Sequence, residues 1–143
     1  MADEKLVEML KSEGGVEKFN KWRKVNPTTK IDLTGANLSR LDLSEVDLSG
    51  ADLQGANLSE SGLSDADLSG ANLQGANLSE TDLTRVFLYK ADLFKADLSG
   101  ANLSKSALRD VAGLDSACFR GATLELKAQA IILAAVAESF RDP

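Results

Sequence analysis

Residues 47–60 read DLSGADLQGANLSE, and residues 67–80 read DLSGANLQGANLSE. The two stretches differ only at Asp52 and Asn72, and they begin twenty residues apart. Inside each lies a shorter period, with Leu at every fifth position. Working outward, the chain from Ile31 parses without a gap as IDLTG, ANLSR, LDLSE, VDLSG, ADLQG, ANLSE, SGLSD, ADLSG, ANLQG, ANLSE, TDLTR, VFLYK, ADLFK, ADLSG, ANLSK and SALRD. Leu is central in all 16 units, from Leu33 to Leu108. The register then slips by one residue at Val111, and AGLDS, ACFRG and ATLEL follow, centred on Leu114, Phe119 and Leu124.

A period of five argues against a helix, on which these leucines would wander round the axis and bury nothing consistently. In extended backbone, residues two apart share a face. The central Leu and the residue two before it, mostly Ala, then point inward together. The Asp or Asn between them points outward, as does the Ser, Thr or Gln that follows. The fifth residue is Gly or charged, which suits a corner. Four such sides make one coil and explain the second period of twenty. Coils stack at about 4.8 Å, so 19 sides give almost five coils and a rod roughly 23 Å long.

Stacking predicts columns of residues twenty apart. Leu33, Leu53, Leu73 and Leu93 form one inward column, and Leu38, Leu58, Leu78 and Leu98 the next. Outside, Asn37, Asn57 and Asn77 align, as do Gln54 and Gln74. Corner Arg40 meets Glu60 and Asp65 meets Arg85, pairs of modest value in water, while Glu60 over Glu80 sets like charges together.

Both open ends of the solenoid need covering. Asp3 is placed to cap a helix to about Glu13, Gly14-Gly15 breaks it, and a second helix spans about Val16 to Lys24 with Val16, Phe19 and Trp22 on one face. A third helix spans about Leu124 to Phe140, and its stripe of Ile132, Leu133, Val136 and Phe140 is expected to lie on the last coil. Ile131 and several alanines extend the apolar surface further round, so a twofold homodimer contact through this helix is a second expectation for Ile131, Ile132, Leu133, Val136 and Phe140. The organisation expected is a helical cap at 1–30, the repeat array at 31–126, and a helical cap at 127–143.

The run A(D/N)LXX, as in ADLSGANLQGANLSE, resembles the signature of the pentapeptide-repeat family and covers about two thirds of the chain. That resemblance implies an all-β solenoid, a right-handed quadrilateral β-helix, with the α-helical caps added at its ends. The segment VEKFNKWRKVNP is similar to N-terminal segments of some bacterial members of the family. Some members resemble duplex DNA in shape and charge and bind DNA gyrase as inhibitors or protectors.

Composition narrows the chemistry. The net charge is −6; residues 1–30 carry +2, 31–90 carry −7 and 91–143 carry −1. An acidic block repels nucleic acid and attracts basic protein surfaces. The chain has no His, and no GxSxG, P-loop or GxGxxG motif occurs. No catalytic residue, metal site or cofactor is expected. Asp47 and Asp67 stack and could share a proton or a cation, but two carboxylates make a poor metal site, and bonding to backbone or water is expected instead. The single cysteine, Cys118, fits a reducing compartment and is expected to face outward with no basic partner to lower its pKa. No signal-peptide or membrane-spanning stretch is seen, so a cytoplasmic protein without membrane or direct nucleic-acid binding is expected.

One irregularity stands out. VFLYK and ADLFK place Phe87, Tyr89 and Phe94 at outward positions, with Lys90 and Lys95 at the corners. Either the C-terminal helix or a second copy covers these rings, or they form a partner-binding patch. The expected function is a non-enzymatic interaction or scaffold module presenting a rigid acidic solenoid to an unknown protein. Binding of DNA gyrase as a DNA mimic is the alternative.

Overall fold

The computed structural model describes residues 1–140. The chain opens with helices α1 (Glu4–Lys11) and α2 (Gly15–Val25), winds through the repeats, and ends in α3 (Leu126–Ser139). Residues 141–143 of the expected C-terminal cap lie outside the described residues.

Thirteen parallel bridges join residues twenty apart, from Asp32–Asp52 to Asp92–Ala112. Each coil therefore has four five-residue sides, and successive coils stack in register. No side holds more than one bridging residue, because a corner arrives every fifth position. The ladder is nonetheless paired in both directions: Leu53 N–H donates to Asn72 C=O at 2.8 Å, and Asn72 N–H donates to Ala51 C=O at 2.9 Å.

Each corner is a tight turn. Ala56 N–H donates to Leu53 C=O at 2.9 Å, closing a four-residue turn whose third residue, Gly55, has φ 64°. A positive φ at that position is the mark of a type II turn. Among the described residues, ten other than glycine, including Arg40, Glu60, Lys90 and Lys95, take the same left-handed conformation. The outward Asp or Asn fixes the turn from outside: Asp67 Oδ1 accepts Ser69 N–H at 2.8 Å, and Asn57 Oδ1 accepts Ser59 N–H at 3.1 Å and Ser59 Oγ–H at 2.8 Å. This Asx geometry explains why Asp and Asn interchange at the second position of the repeat.

The core is a stack of small aliphatic layers. Leu33, Leu53, Leu73, Leu93, Leu38, Leu58, Leu78 and Leu98 are all fully buried, as are the first-position alanines from Ala51 to Ala101. Among the described residues two polar side chains enter this interior, Ser61 and Thr81. Both hydroxyls donate to Leu58 C=O, at 2.6 and 2.9 Å, so neither is left unpaired.

The register slip falls later than the repeat pattern suggested. Ala112 still bridges Asp92 at an offset of twenty, and the offset becomes twenty-one only at Asp97–Cys118 and Asn102–Thr123. Gly113 occupies the place of a central Leu, and the extra residue is taken up in the following turn, where Leu114 swings inward and is buried. Gly113 has φ 74°, and a Cβ there would lie 2.3 Å from Phe94 N, so only glycine fits. The displaced carbonyl is replaced by a side chain: Lys95 N–H donates to Ser116 Oγ at 3.2 Å.

The helices at the two ends differ in how much they bury. Asp3 caps α1, with its Oδ1 accepting Lys5 N–H at 3.0 Å, and Leu6, Val7 and Leu10 are buried. Phe19 of α2 is fully buried, its ring 5.6 Å from that of Trp22. These helices also close the edge of the first coil. Asp3 N–H donates to Asp32 C=O at 2.7 Å, and Arg23 Nη2 donates to Ser49 C=O at 2.9 Å. At the other end, the stripe on the last coil is not the expected one. Ala128 is buried and Ile131, Ile132, Ala135 and Val136 are partly buried, whereas Leu133 and Phe140 face away at 68% and 84% exposure. The helix is apolar on nearly every side, so its sequence did not single out the packed face.

Candidate interaction surface

The aromatic residues occupy one edge of the rod. Phe87 bridges Asp67 below and Ala107 above, so its side chain points outward in place of the Asp that precedes it in that column. Phe87, Tyr89 and Phe94 are 53%, 39% and 44% exposed, so α3 leaves them open. Lys90 Nζ lies 5.1 Å from the Tyr89 ring centre, and Lys95 Nζ lies 5.1 Å from that of Phe94. Arg109 completes the cluster, its guanidinium carbon 5.4 Å from the Tyr89 ring centre. Tyr89 is thus in cation–π contact with two cations. The repeat reading missed Arg109, although it stands twenty residues after Tyr89, one coil above it.

Around this patch the surface is polar. Below it lie Asp67, Ser69 and Gln74; Gln74 Nε2 donates to Asp92 Oδ2 at 2.7 Å, and Asp92 Oδ1 accepts Phe94 N–H at 2.9 Å. The corner charges pair across coils. Arg40 contacts the Glu60 carboxylate at 2.8 and 3.1 Å, and Arg85 Nε contacts Asp65 at 2.7 Å. Hydrogen bonds from these guanidiniums hold the Glu60 and Asp65 carboxyls below their usual range. The Glu80 carboxylate lies over the space left at Gly100, whose missing Cβ would fall 2.8 Å from it.

The other chemical candidates are tied into the scaffold. Asp47 Oδ1 accepts Ser49 N–H at 3.1 Å and Ser49 Oγ–H at 2.6 Å, and Asp67 Oδ1 accepts Ser69 N–H at 2.8 Å. Among the described residues no group of His, Cys, Asp and Glu is arranged to hold a metal. Cys118 is exposed, with Sγ 3.2 Å from Ser99 Oγ. That bond, followed by the Arg120 N–H, lowers the thiol pKa, a shift the sequence alone did not suggest. No helix among the described residues is long and apolar enough to cross a membrane.

A family model described as pentapeptide repeats matches eight copies over residues 29–62, 61–100, 71–110 and 88–125, most of the chain. The chain belongs to the pentapeptide-repeat family. A search of curated proteins found no match. Among solved structures, the pentapeptide repeat protein Rfr23 from the cyanobacterium Cyanothece 51142 is 36% identical with a TM-score of 0.59. The match covers 69% of this pentapeptide-repeat chain and 63% of Rfr23. HetL, a pentapeptide repeat protein involved in heterocyst differentiation regulation in Nostoc sp. strain PCC 7120, is 33% identical with a TM-score of 0.50, over 65% of this chain and 48% of HetL. The chain therefore spans less than two thirds of either relative. QnrB1, a plasmid-mediated fluoroquinolone resistance protein, is 17% identical with a TM-score of 0.43, over 74% of this chain and 63% of QnrB1, too distant to bear on what this chain does.

Proposed function

We propose that this chain is a non-enzymatic interaction module, a rigid scaffold that presents the Phe87–Tyr89–Phe94 edge to another protein. The observation carrying this reading is the contiguity of three exposed rings with Lys90, Lys95 and Arg109 on a rod whose other faces are polar and acidic. Exposed aromatics beside cations are the composition of binding hot spots, and their charge favours an acidic surface on the partner. The coil is taken to wind right-handed, as the family resemblance implies. Work in a bacterial cytoplasm accords with the cyanobacterial relatives and with a lone, unpaired cysteine.

Gyrase binding as a DNA mimic has weaker support. The acidic stretch is interrupted by Arg40 and Arg85, which pair with Glu60 and Asp65 and neutralise part of the field.

The test is quantitative capture from the native host with the intact chain and with Phe87→Asp/Tyr89→Ser. The reading predicts that capture of at least one protein drops about tenfold or more while the fold is retained. Equal capture by the two would refute it. A supercoiling assay with purified gyrase separates the alternative: inhibition that survives the double substitution would favour the DNA-mimic reading.

A further inference from the structure

Helix α3 leaves a slot beside one side of the last coil. At the offset of twenty-one set by Asn102–Thr123, residues 127–131 would form the side above 106–110 if the coil continued. Instead α3 begins at Leu126 and lifts the chain away. Glu125 closes the preceding corner with its side chain, Oε1 accepting Lys105 N–H at 3.2 Å. Over 106–110 there remains a cleft of about 560 Å³, bordered by Leu108, Arg109, Asp110, Lys127, Ala128 and Ile131.

The floor of this cleft is a strand edge. Two coils lower on the same side, Leu68 N–H donates to Phe87 C=O at 2.9 Å, Gly70 N–H donates to Tyr89 C=O at 2.8 Å, and Ala66 C=O accepts Phe87 N–H at 3.0 Å. The equivalent groups of the last coil are Leu108 N–H, Asp110 N–H and Ser106 C=O. Among the described residues none of these three has a hydrogen-bond partner. Two donors and an acceptor in the spacing of the ladder are a template for another strand.

We infer that the slot takes an extended segment of the partner, added parallel to 106–110 as the next side of the coil, with two apolar residues and then an acidic one at its centre. The inference rests on the reading of the Phe87–Tyr89–Phe94 edge as the binding surface, which lies directly below: Phe87 bridges Ala107, and Tyr89 contacts Arg109. Register assigns the segment's side chains, because successive residues face opposite ways. Its second residue stands over Ala107, whose small side chain leaves the Phe87 ring within reach, and is aromatic or aliphatic. Its third points inward between Leu108 and Ile131 and is aliphatic. Its fourth stands over Arg109 and is Asp or Glu.

Charge gives the same answer. Lys90, Lys95, Arg109 and Lys127 outnumber Asp110 and Glu125 around the slot and the rings below it. Both carboxylates are already engaged, Asp110 with Arg109 Nε at 3.7 Å and Glu125 with Lys105 N–H. An acidic segment is attracted here and a basic one repelled. In strand addition the main chain supplies affinity and the alternate side chains supply specificity.

The test titrates the isotope-labelled intact chain with four capped peptides, Gly-Ser-X-Leu-Glu-Gly-Ser, in which X is Phe, Tyr, Leu or Val. At least one should bind with a dissociation constant below about 1 mM and move the Leu108 and Asp110 amide proton signals downfield as those groups gain acceptors. N-methylation at X removes the N–H meant for Ser106 C=O and should weaken binding at least about tenfold. N-methylation at the peptide Leu, whose N–H faces away from the coil, should change it less than about threefold. Arg109→Glu should weaken binding about tenfold or more with unchanged circular dichroism, and Lys in place of the peptide Glu should restore it. Binding by none of the four, or binding indifferent to methylation at X, would overturn the inference; failure of the charge reversal would overturn the register. The aromatic-edge reading fails separately, through host capture indifferent to Phe87→Asp/Tyr89→Ser.

Discussion

The side-chain amide of Asn20 stands where a peptide group of a preceding coil would stand against Asp47. Its Oδ1 accepts Asp47 N–H at 2.9 Å, and its Nδ2 donates to Glu45 C=O at 2.9 Å. The N-terminal helices therefore extend the hydrogen-bond ladder as well as covering the core. Replacing Asn20 by Ala removes both bonds and should lower stability by about 1–2 kcal/mol. Amide exchange measured by NMR should accelerate at Asp47 more than at Asp67, whose N–H still donates to Val46 C=O.

The glycines are not equivalent. Gly50 has φ 65° with open space around its missing side chain, whereas Gly113 has φ 74° and backbone atoms of Phe94 and Leu93 within 2.8 Å of a Cβ position. Gly50→Ala should cost about 1 kcal/mol, the strain of the left-handed conformation alone. Gly113→Ala should cost well over twice that, because rigid backbone must move. Denaturant midpoints of the two variants check the order.

Interior positions divide by chemistry. Leu73→Ala should cost about 2–5 kcal/mol, since the emptied layer lies between Leu53 and Leu93, and Leu73→Asp should prevent folding. Thr81→Val should fall within about 1 kcal/mol of the parent, because Leu58 C=O keeps the Ser61 N–H and hydroxyl. Thermal unfolding of Leu73→Ala and Thr81→Val, and the circular dichroism of Leu73→Asp, are the measurements.

Acid should weaken the rod. Asp42 and Asp97 are held below the usual carboxyl range by the Ser44 and Ser99 groups they accept from, and Asp65 and Glu60 by their arginines. A carboxyl whose folded pKa is depressed contributes stability above its unfolded pKa and loses it as pH falls through the folded value. Unfolding midpoints should thus drop as pH falls below about 4, where these carboxyls begin to take up protons. Asn already serves at this turn position at Asn57 and Asn77, so Asp42→Asn/Asp97→Asn should fold and show a shallower acid limb.

Most of the architecture was legible because a five-residue period leaves little choice: Leu33 to Leu108 must share an axis, and the twenty-residue echo at Asp52 and Asn72 counts the sides. The outward rings of Phe87, Tyr89 and Phe94 were legible for the same reason. What escaped depended on space or side-chain geometry. A frame with Leu114 central scores as well as the real one until Phe94 is seen pressing on Gly113. Asn20 carries no pattern that marks it as a peptide surrogate. The packed face of α3 was hidden because Ile131, Ile132 and Leu133 are consecutive and equally apolar, so only the coil decides which of them turns inward.

The ladder itself gives the most direct measurement. Scalar couplings across hydrogen bonds, recorded by NMR on the isotope-labelled chain, identify each donor nitrogen with its acceptor carbonyl. The account predicts correlations from Leu53 N to Asn72 C′ and from Asn72 N to Ala51 C′, repeated coil by coil from Leu33 to Leu103. Correlations between residues four apart through this region, or none linking neighbouring coils, would contradict it.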